Sequence, residues 1–510
     1  MTEQTAVYKL QVVYDYKGNP LIEALPDIWS YDKVIDMLSY NEGQHDGERE
    51  LDAHYRMHCV HRLFRYFQPL EQHIDIEQRL SRCIRQGYLH RSPQNADYAR
   101  ALDEGHKIVN MRGTYNQFSA FHPTATGFTI IGLSGIGKTT AVVNILNMYP
   151  QVINHARYND APLVLKQLVW LKLECPHDGS VKGLCMSFFE AVDRAIGTDY
   201  FETFRSRGTV DYMMVRMTQA ARLHCLGVLV IDEIQNLSLV KSGGQAKMLN
   251  FFVTLVNTIG VPVVLIGTNK AMSIFQSEFR QARRGSGQGD LIWDRMKNDY
   301  IWEIFVKSMW RNQWTRNRVV LSDGLKDALY EESQGITDIA IKLYAMVQIR
   351  AIGLGNETFS LSDLHIVAQE KLGLVKPMLD ALRSGDKKKI NMYGDIAPIS
   401  IEDYYEAYAT LLDCGQSVPL KRNEMSLSEK SVLKLLELGV EPVTAKRLAG
   451  EMMLIHKELR TVQDIVRLAY QKYLTGTPPA SYIDRSASDL RNADGYESLK
   501  ETGAIQSVEW

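Results

Sequence analysis

The run Gly132-Leu133-Ser134-Gly135-Ile136-Gly137-Lys138-Thr139 has the residue types and spacing that hold a phosphate chain. It fits the pattern G-x-x-x-x-G-K-[ST]. Small glycines let successive backbone N–H groups curl around phosphate oxygens, and a helix beginning at the lysine adds partial positive charge. On this chemistry Lys138 reaches the β- and γ-phosphates of a nucleoside triphosphate, and the Thr139 hydroxyl ligates magnesium. Thr140, one residue on, completes the set expected to meet the nucleotide.

A second constellation follows about ninety residues later. Val228-Leu229-Val230-Ile231-Asp232-Glu233 is an apolar run ending in two carboxylates. A buried strand of this kind delivers Asp232 to the edge of a parallel sheet where phosphate loops sit. Asp232 is then the second magnesium residue, acting through water, and Glu233 polarises the attacking water. A further apolar run, 261–266, ends in Gly267-Thr268-Asn269, and a polar side chain at that tip suits a γ-phosphate or water sensor. Thr268 and Asn269 are the candidates, although Gly-Thr-Asn is also ordinary turn chemistry. Arg280, Arg283 and Arg284 precede a glycine-rich loop. Arg283 and Arg284 are candidate fingers for a neighbouring subunit's nucleotide.

These groups need a scaffold, and the middle third supplies an α/β one. Apolar runs at 128–131, 168–173, 228–231 and 261–266 read as strands, with 301–305 as a fifth. They alternate with helical patterns at 181–196 and 248–259, the signature of a parallel sheet flanked by helices. Upstream, 69–87 reads as a helix with Gly87 as its C-cap. After about residue 320 the strands stop. Helices are expected over 324–352 and 361–383 as a lid, then a linker at 386–425. A small helical unit follows at 426–475 and a flexible tail at 476–510. The expected division is an N-terminal extension (1–110) suited to partner docking, a nucleotide-binding core (111–320) and a lid (321–385), followed by these C-terminal parts.

The bulk properties narrow the function classes. A chain of 510 residues exceeds one ordinary domain. Its net charge of −2 excludes a polycation, so any contact with nucleic acid must come from a local patch or from a patch repeated in an oligomer. Cys59, Cys83, Cys175, Cys185, Cys225 and Cys414 show no C-x-x-C spacing and read as reduced packing thiols. The start MTEQTAVYKLQ lacks the basic and apolar blocks of an export signal. The longest apolar stretch, 259–266, is far short of the roughly 20 residues that span a bilayer. A soluble, cytoplasmic protein without membrane contact is expected.

Beyond these patterns, the chain resembles the TnsC family, AAA+ regulators of cut-and-paste bacterial transposons related to the MuB protein of phage Mu. The resemblance runs from Asn19-PLIEALP through YFQPLEQH (66–73), YPQVINH (149–155) and LVIDEIQNLS (229–238). It continues through SGGQAKMLNFFVTLVNTIGVPVVLIGTNKA (242–271), ARRGSG (282–287), SQGITDIAIKL (333–343) and KPMLDALRSG (376–385). It covers roughly 19–385, and the block at 242–271 is its most specific part. The resemblance implies an AAA+ P-loop NTPase fold that binds ATP and Mg2+ and assembles as a homo-oligomeric ring or filament on duplex DNA in the bacterial cytosol. It also implies a platform linking a target-selection protein to transposase subunits, with hydrolysis dismantling the assembly. In such relatives DNA contacts come from the segment here at 177–182 and the turn at 205–209. Lys182 and Thr209 are therefore the DNA-backbone candidates, with Arg207 next. From the residues alone, Lys182 is a solvated helix residue and Thr209 a helix N-cap. Lys342 stands where the resemblance implies a second sensor, although the wider class often has arginine there. The segment 66–87 is expected near the adenine edge, with no single residue named.

Two other readings stay open at this stage. One is a replication-initiator or loader ATPase. The other is a nucleotide-gated scaffold with little DNA affinity.

Overall fold

The computed structural model describes residues 3–40, 43–96, 98–100, 102–103, 107, 127–205, 209–236, 260–271, 289–386, 401–409, 426–455 and 461–475. In chain order the strands are β1 (Glu3–Thr5), β2 (Phe128–Gly132), β3 (Val152–Tyr158), β4 (Ala161–Leu168), β5 (Trp170–Glu174), β6 (Val228–Asp232), β7 (Val263–Gly267) and β8 (Asp290–Trp293). Five of them form a parallel sheet in the order β5-β6-β7-β2-β8. Every residue of β2, β6 and β7 is buried, as uninterrupted apolar runs require when both faces of a sheet are covered. β1, β3 and β4 make a second, three-stranded sheet. Its β3–β4 hairpin turns at Asn159 and Asp160, both with positive φ, which matches the twist of a tight hairpin.

Four sequence expectations change in detail. The run at 301–305 is not a strand but lies inside the helix Tyr300–Trp310. Trp302, Phe305, Val306, Met309 and Trp310 are its buried residues, a helical spacing that a five-residue window cannot display. The fifth strand is β8 at the sheet edge, too short and too exposed to stand out as an apolar run. Gly87 caps nothing, because its helix continues as Glu71–Leu89. A Cβ there would lie 2.7 Å from the Pro262 ring, so glycine serves close approach to the segment entering β7.

The run at 168–173 is divided between two strands, β4 and β5. The lid helices are each interrupted as well: Asp323–Ser333 is followed by Thr337–Gly353, and Leu361–Lys371 by Lys376–Ser384. Gln334 and Gly335 carry positive φ at the first break. A Cβ on Gly335 would lie 2.1 Å from the Met296 carbonyl oxygen, so the lid turns back against the segment after β8 only with glycine there.

The helix Val181–Ile196 forms as its periodicity suggests. Val181, Leu184, Cys185, Phe188, Val192 and Ile196 are buried, and Ser180 caps it by accepting a hydrogen bond from Gly183 N at 3.1 Å. The expected helix at 248–259 lies outside the described residues.

The N-terminal residues share one apolar core with the lid. Leu21, Ile22, Val34, Met57 and Leu63 belong to the same cluster as Tyr344 and Val347. Buried Arg56 fastens this junction, donating to both Glu357 oxygens at 2.6 and 2.5 Å and to the Trp314 carbonyl at 3.0 Å. Within the expected linker, Glu402–Ala409 is a helix with Tyr404 buried.

The chain divides into two compact units, Met1–Cys414 and Gly415–Trp510. In the second, the helices Leu427–Glu437, Pro442–Ile455 and Val462–Thr475 close around Leu435, Leu448, Met452 and Ile465. No described helix is long and apolar enough to cross a membrane.

Candidate nucleotide site

In a parallel sheet every strand delivers its C-terminal tip to the same edge. Because β6, β7 and β2 are neighbours, that edge gathers Asp232 and Glu233, then Thr268, then the loop 133–137. Gly135 and Gly137 have φ of 74° and 92°, a region that favours glycine, and Gly137 is the N-cap of the helix Lys138–Leu146. Lys138 is buried, and its Nζ donates to the carbonyls of Gly132 at 3.0 Å and Leu133 at 2.6 Å.

A cavity of about 450 Å³ opens at this edge. Ser134, Gly135, Ile136, Gly137, Lys138, Thr139 and Thr140 line it together with Asp232, Glu233 and Thr268. Two members of the glycine-rich run stand back from it. Gly132 ends β2, where a Cβ would lie 2.1 Å from the Trp293 carbonyl oxygen, and the Leu133 side chain joins the core. Of the two sensor candidates only Thr268 lines the cavity. Asn269 starts the short turn Asn269–Ala271.

The carboxylates sit in different surroundings. Asp232 is buried, accepts from Glu233 N at 2.9 Å, and lies 3.2 Å from Lys172 Nζ. Glu233 is exposed and has a φ of 55°, an uncommon backbone for a non-glycine residue. Its carboxylate accepts from Gln235 Nε2. One acid is thus buried beside a cation and its neighbour in sequence is exposed at the cavity.

The lid closes on the loop at one point. Asp338 N and Thr337 Oγ1 both donate to the Gly135 carbonyl, at 3.1 and 3.3 Å, so the start of the helix Thr337–Gly353 sits against the phosphate loop. One turn further on, Lys342 lines the same cavity and pairs with Asp338 at 2.8 Å. The second-sensor candidate is thus at the cavity, held by its own helix.

Aromatic side chains also line the cavity, among polar ones that include Gln68, Gln72 and Asp294. The aromatic ones are Phe64, Tyr66, Phe67, His73, Trp293 and Phe305. The His73 ring lies 4.7 Å from Phe67 and 5.2 Å from Trp293, and its Nδ1 accepts from Leu70 N at 2.8 Å. Burial pushes its pKa down to about 4, so the ring is neutral near pH 7. Burial likewise pushes the Tyr66 phenol up to about 12. Neutral aromatic rings together with a lysine and glycine amides in one cavity match a flat base joined to a polyphosphate.

The donor set also suits magnesium. Thr139 and Asp232 supply hard oxygens to the cavity, and the buried Thr268 Oγ1 has no hydrogen-bond partner among the described residues, a polar atom in need of one. Three residues here escaped the sequence reading. Gln235 and Thr337 fall inside the segments 229–238 and 333–343 that carry the resemblance but have no role assigned there, and only the alternation Trp170-Leu171-Lys172-Leu173-Glu174 hints that Lys172 differs from its apolar neighbours.

Outside the cavity, Lys182 is exposed in the first turn of its helix. Thr209 is the N-cap of the helix Val210–Leu223, its hydroxyl accepting from Tyr212 N at 3.4 Å. Arg207, Arg280, Arg283 and Arg284 lie outside the described residues.

Residues 123–275 match a protein family described as an AAA domain, a span that contains the phosphate loop, β6 and β7. No curated protein matches the chain. Among solved structures, the ORC1 protein of Aeropyrum pernix in complex with DNA is similar at 14% identity and a TM-score of 0.34, covering 75% of this chain and 83% of that one. Cdc6p of Pyrobaculum aerophilum is similar at 15% identity and a TM-score of 0.26, covering 82% and 90%. Domain III of the replication initiation protein DnaA of Thermotoga maritima is similar at 15% identity and a TM-score of 0.29, covering 55% and 98%. Likenesses this distant carry no argument about function. The parallel sheet with its phosphate loop, flanking helices and C-terminal helical region make the AAA+ P-loop fold.

Proposed function

We propose that this AAA+ P-loop chain is an ATP-dependent DNA-binding regulator of transposition. It assembles on duplex DNA, connects a target-selection protein to transposase subunits, and is dismantled by ATP hydrolysis. The observation that carries the nucleotide part is the convergence of Lys138, Thr139, Asp232, Glu233 and Thr268 on one cavity that aromatic rings also line. The resemblance of 242–271 to the TnsC family supports the transposition part, and favours it over an initiator or loader that would use the same pocket.

In this mechanism the aromatic walls take the adenine, and the amides of 134–139 with Lys138 take the phosphates. Thr139 and Asp232 hold magnesium, which offsets phosphate charge when bound. Glu233 accepts a proton from the attacking water, and Thr268 hydrogen-bonds the γ-phosphate or that water. Arg283 and Arg284 are proposed to act on the neighbouring subunit's nucleotide. Lys342 is proposed to report nucleotide state through the lid.

Lys182 and Thr209 are the proposed phosphate contacts to DNA, with Arg207 beside them. One cation per subunit, repeated along the duplex, reconciles the net charge of −2 with DNA binding. The pair Lys182→Ala and Thr209→Ala, measured by fluorescence anisotropy on duplex DNA with a non-hydrolysable ATP analogue, is expected to weaken DNA binding about tenfold or more. Nucleotide affinity should stay within twofold. Unchanged DNA affinity would move the contact to another surface.

A further inference from the structure

We infer that Gln235 is a positioning residue that sets the hydrolytic carboxylate, and that it does so by tying Glu233 to the tip of the neighbouring strand. The inference rests on the reading of this cavity as an ATPase site. It starts from the turn Ile234–Asn236, which follows β6 directly and must place Glu233 on an exposed loop. The apolar run Val228-Leu229-Val230-Ile231 sets the strand and leaves the direction of the Glu233 carboxylate to side-chain contacts at the turn.

The Gln235 carboxamide uses both its ends. Its Nε2 donates to Glu233 Oε2 at 2.5 Å, and its Oε1 accepts from the backbone N–H of Thr268 at 3.1 Å. The reversed amide would set an oxygen against a carboxylate and an NH2 group against an N–H, so the two partners fix its orientation. The bridge therefore joins the proposed base on one strand tip to the proposed sensor on the next.

Two neighbouring features hold the bridge in register. Asn236 Nδ2 donates to the Cys175 carbonyl at 3.4 Å, fastening the same turn to the tip of β5 on the other side. Gly267 has no side chain where a Cβ would lie 2.6 Å from Ile234 Cγ2 and 3.2 Å from Gln235 Oε1, which lets the turn pack against β7. Glu233 meanwhile adopts its left-handed φ of 55°, a conformation that persists only where its surroundings enforce it. A turn fastened to both adjacent tips, with a carboxamide on the carboxylate itself, is a device for aiming Glu233.

The geometry also gives a direction of control. Thr268 sits at the cavity wall, so a movement of the β7 tip reaches Glu233 through one side chain.

The test is a cycle between Gln235→Met, which keeps volume and removes both hydrogen bonds, and Glu233→Gln. Phosphate release with Mg-ATP gives kcat, and a fluorescent ATP analogue gives Kd. Gln235→Met is expected to lower kcat roughly tenfold to a hundredfold, the size of effect that loss of orientation produces, with Kd within twofold of wild type. In the Glu233→Gln background the same substitution should cause no further loss, because its effect passes through that carboxylate. A kcat within twofold of wild type, an equal loss in both backgrounds, or a parallel loss of Kd would each overturn the inference. A wild-type chain that binds ATP without turning it over would overturn the hydrolytic reading itself, and the role of Gln235 with it.

Discussion

Glu233→Gln is expected to reduce ATP turnover by about 10²–10⁴-fold, the usual worth of a positioned general base, while ATP binding stays within a few-fold of wild type. The substitution keeps shape and removes proton affinity. Lys138 donates to the Gly132 and Leu133 carbonyls and Asp232 accepts from the Glu233 backbone N–H, so these contacts survive the change of side chain and the triphosphate is still held. If hydrolysis is the step that dismantles the assembly, the variant should form DNA-bound complexes that persist after dilution into nucleotide-free buffer, where wild type disperses. Phosphate release and a dissociation time course on duplex DNA check both halves. Normal turnover in the variant would remove Glu233 from the mechanism.

The second large effect is expected at Lys138. Its ammonium is buried at the phosphate loop and already donates to two loop carbonyls, so it is held where a triphosphate would lie. Two charge-assisted hydrogen bonds to phosphate, at about 1.5–3 kcal/mol each, correspond to roughly 10²–10⁴-fold in affinity. Lys138→Ala should therefore lose ATP binding by that factor, measured by titration of a fluorescent analogue, and lose ATP-dependent DNA coating with it. Thermal unfolding of the two proteins side by side separates this from a general loss of fold. An alanine variant that binds ATP as wild type does would place the phosphates elsewhere.

How much of this was legible in the sequence depended on how local the signal was. The phosphate loop and the apolar strand before Asp232 are contiguous, and each carries its own physical reason, so both stand where the residues suggest. The helix Val181–Ile196 was legible because it shows more than four turns of apolar periodicity and has a serine cap. The five residues at 301–305 misled because a short apolar run is compatible with strand or helix. The deciding neighbours, Asp299 as N-cap and Met309 and Trp310 about one turn on, lie outside that window.

The aromatic lining of the cavity was legible only as a segment: 66–87 is expected near the adenine edge with no residue named, and Tyr66, Phe67 and His73 from it line the cavity. Phe64 and Tyr66 come from one segment, Trp293 from β8 and Phe305 from the following helix, and no spacing rule relates them. The same holds for Thr337 and Gly135, about two hundred positions apart yet hydrogen-bonded. Gln235 falls between these extremes. It sits within a recognised segment, but its importance comes from Thr268 across the sheet, which only the strand order reveals.

The central claim is that a bound triphosphate switches the chain into an assembly on duplex DNA. Electron microscopy of the purified full-length protein with duplex DNA tests this most directly, with a non-hydrolysable ATP analogue, with ADP, and with no nucleotide. The account predicts rings or filaments around DNA with the analogue and none in the other two conditions. The same assemblies without nucleotide, or bare DNA in the presence of the analogue, would contradict it.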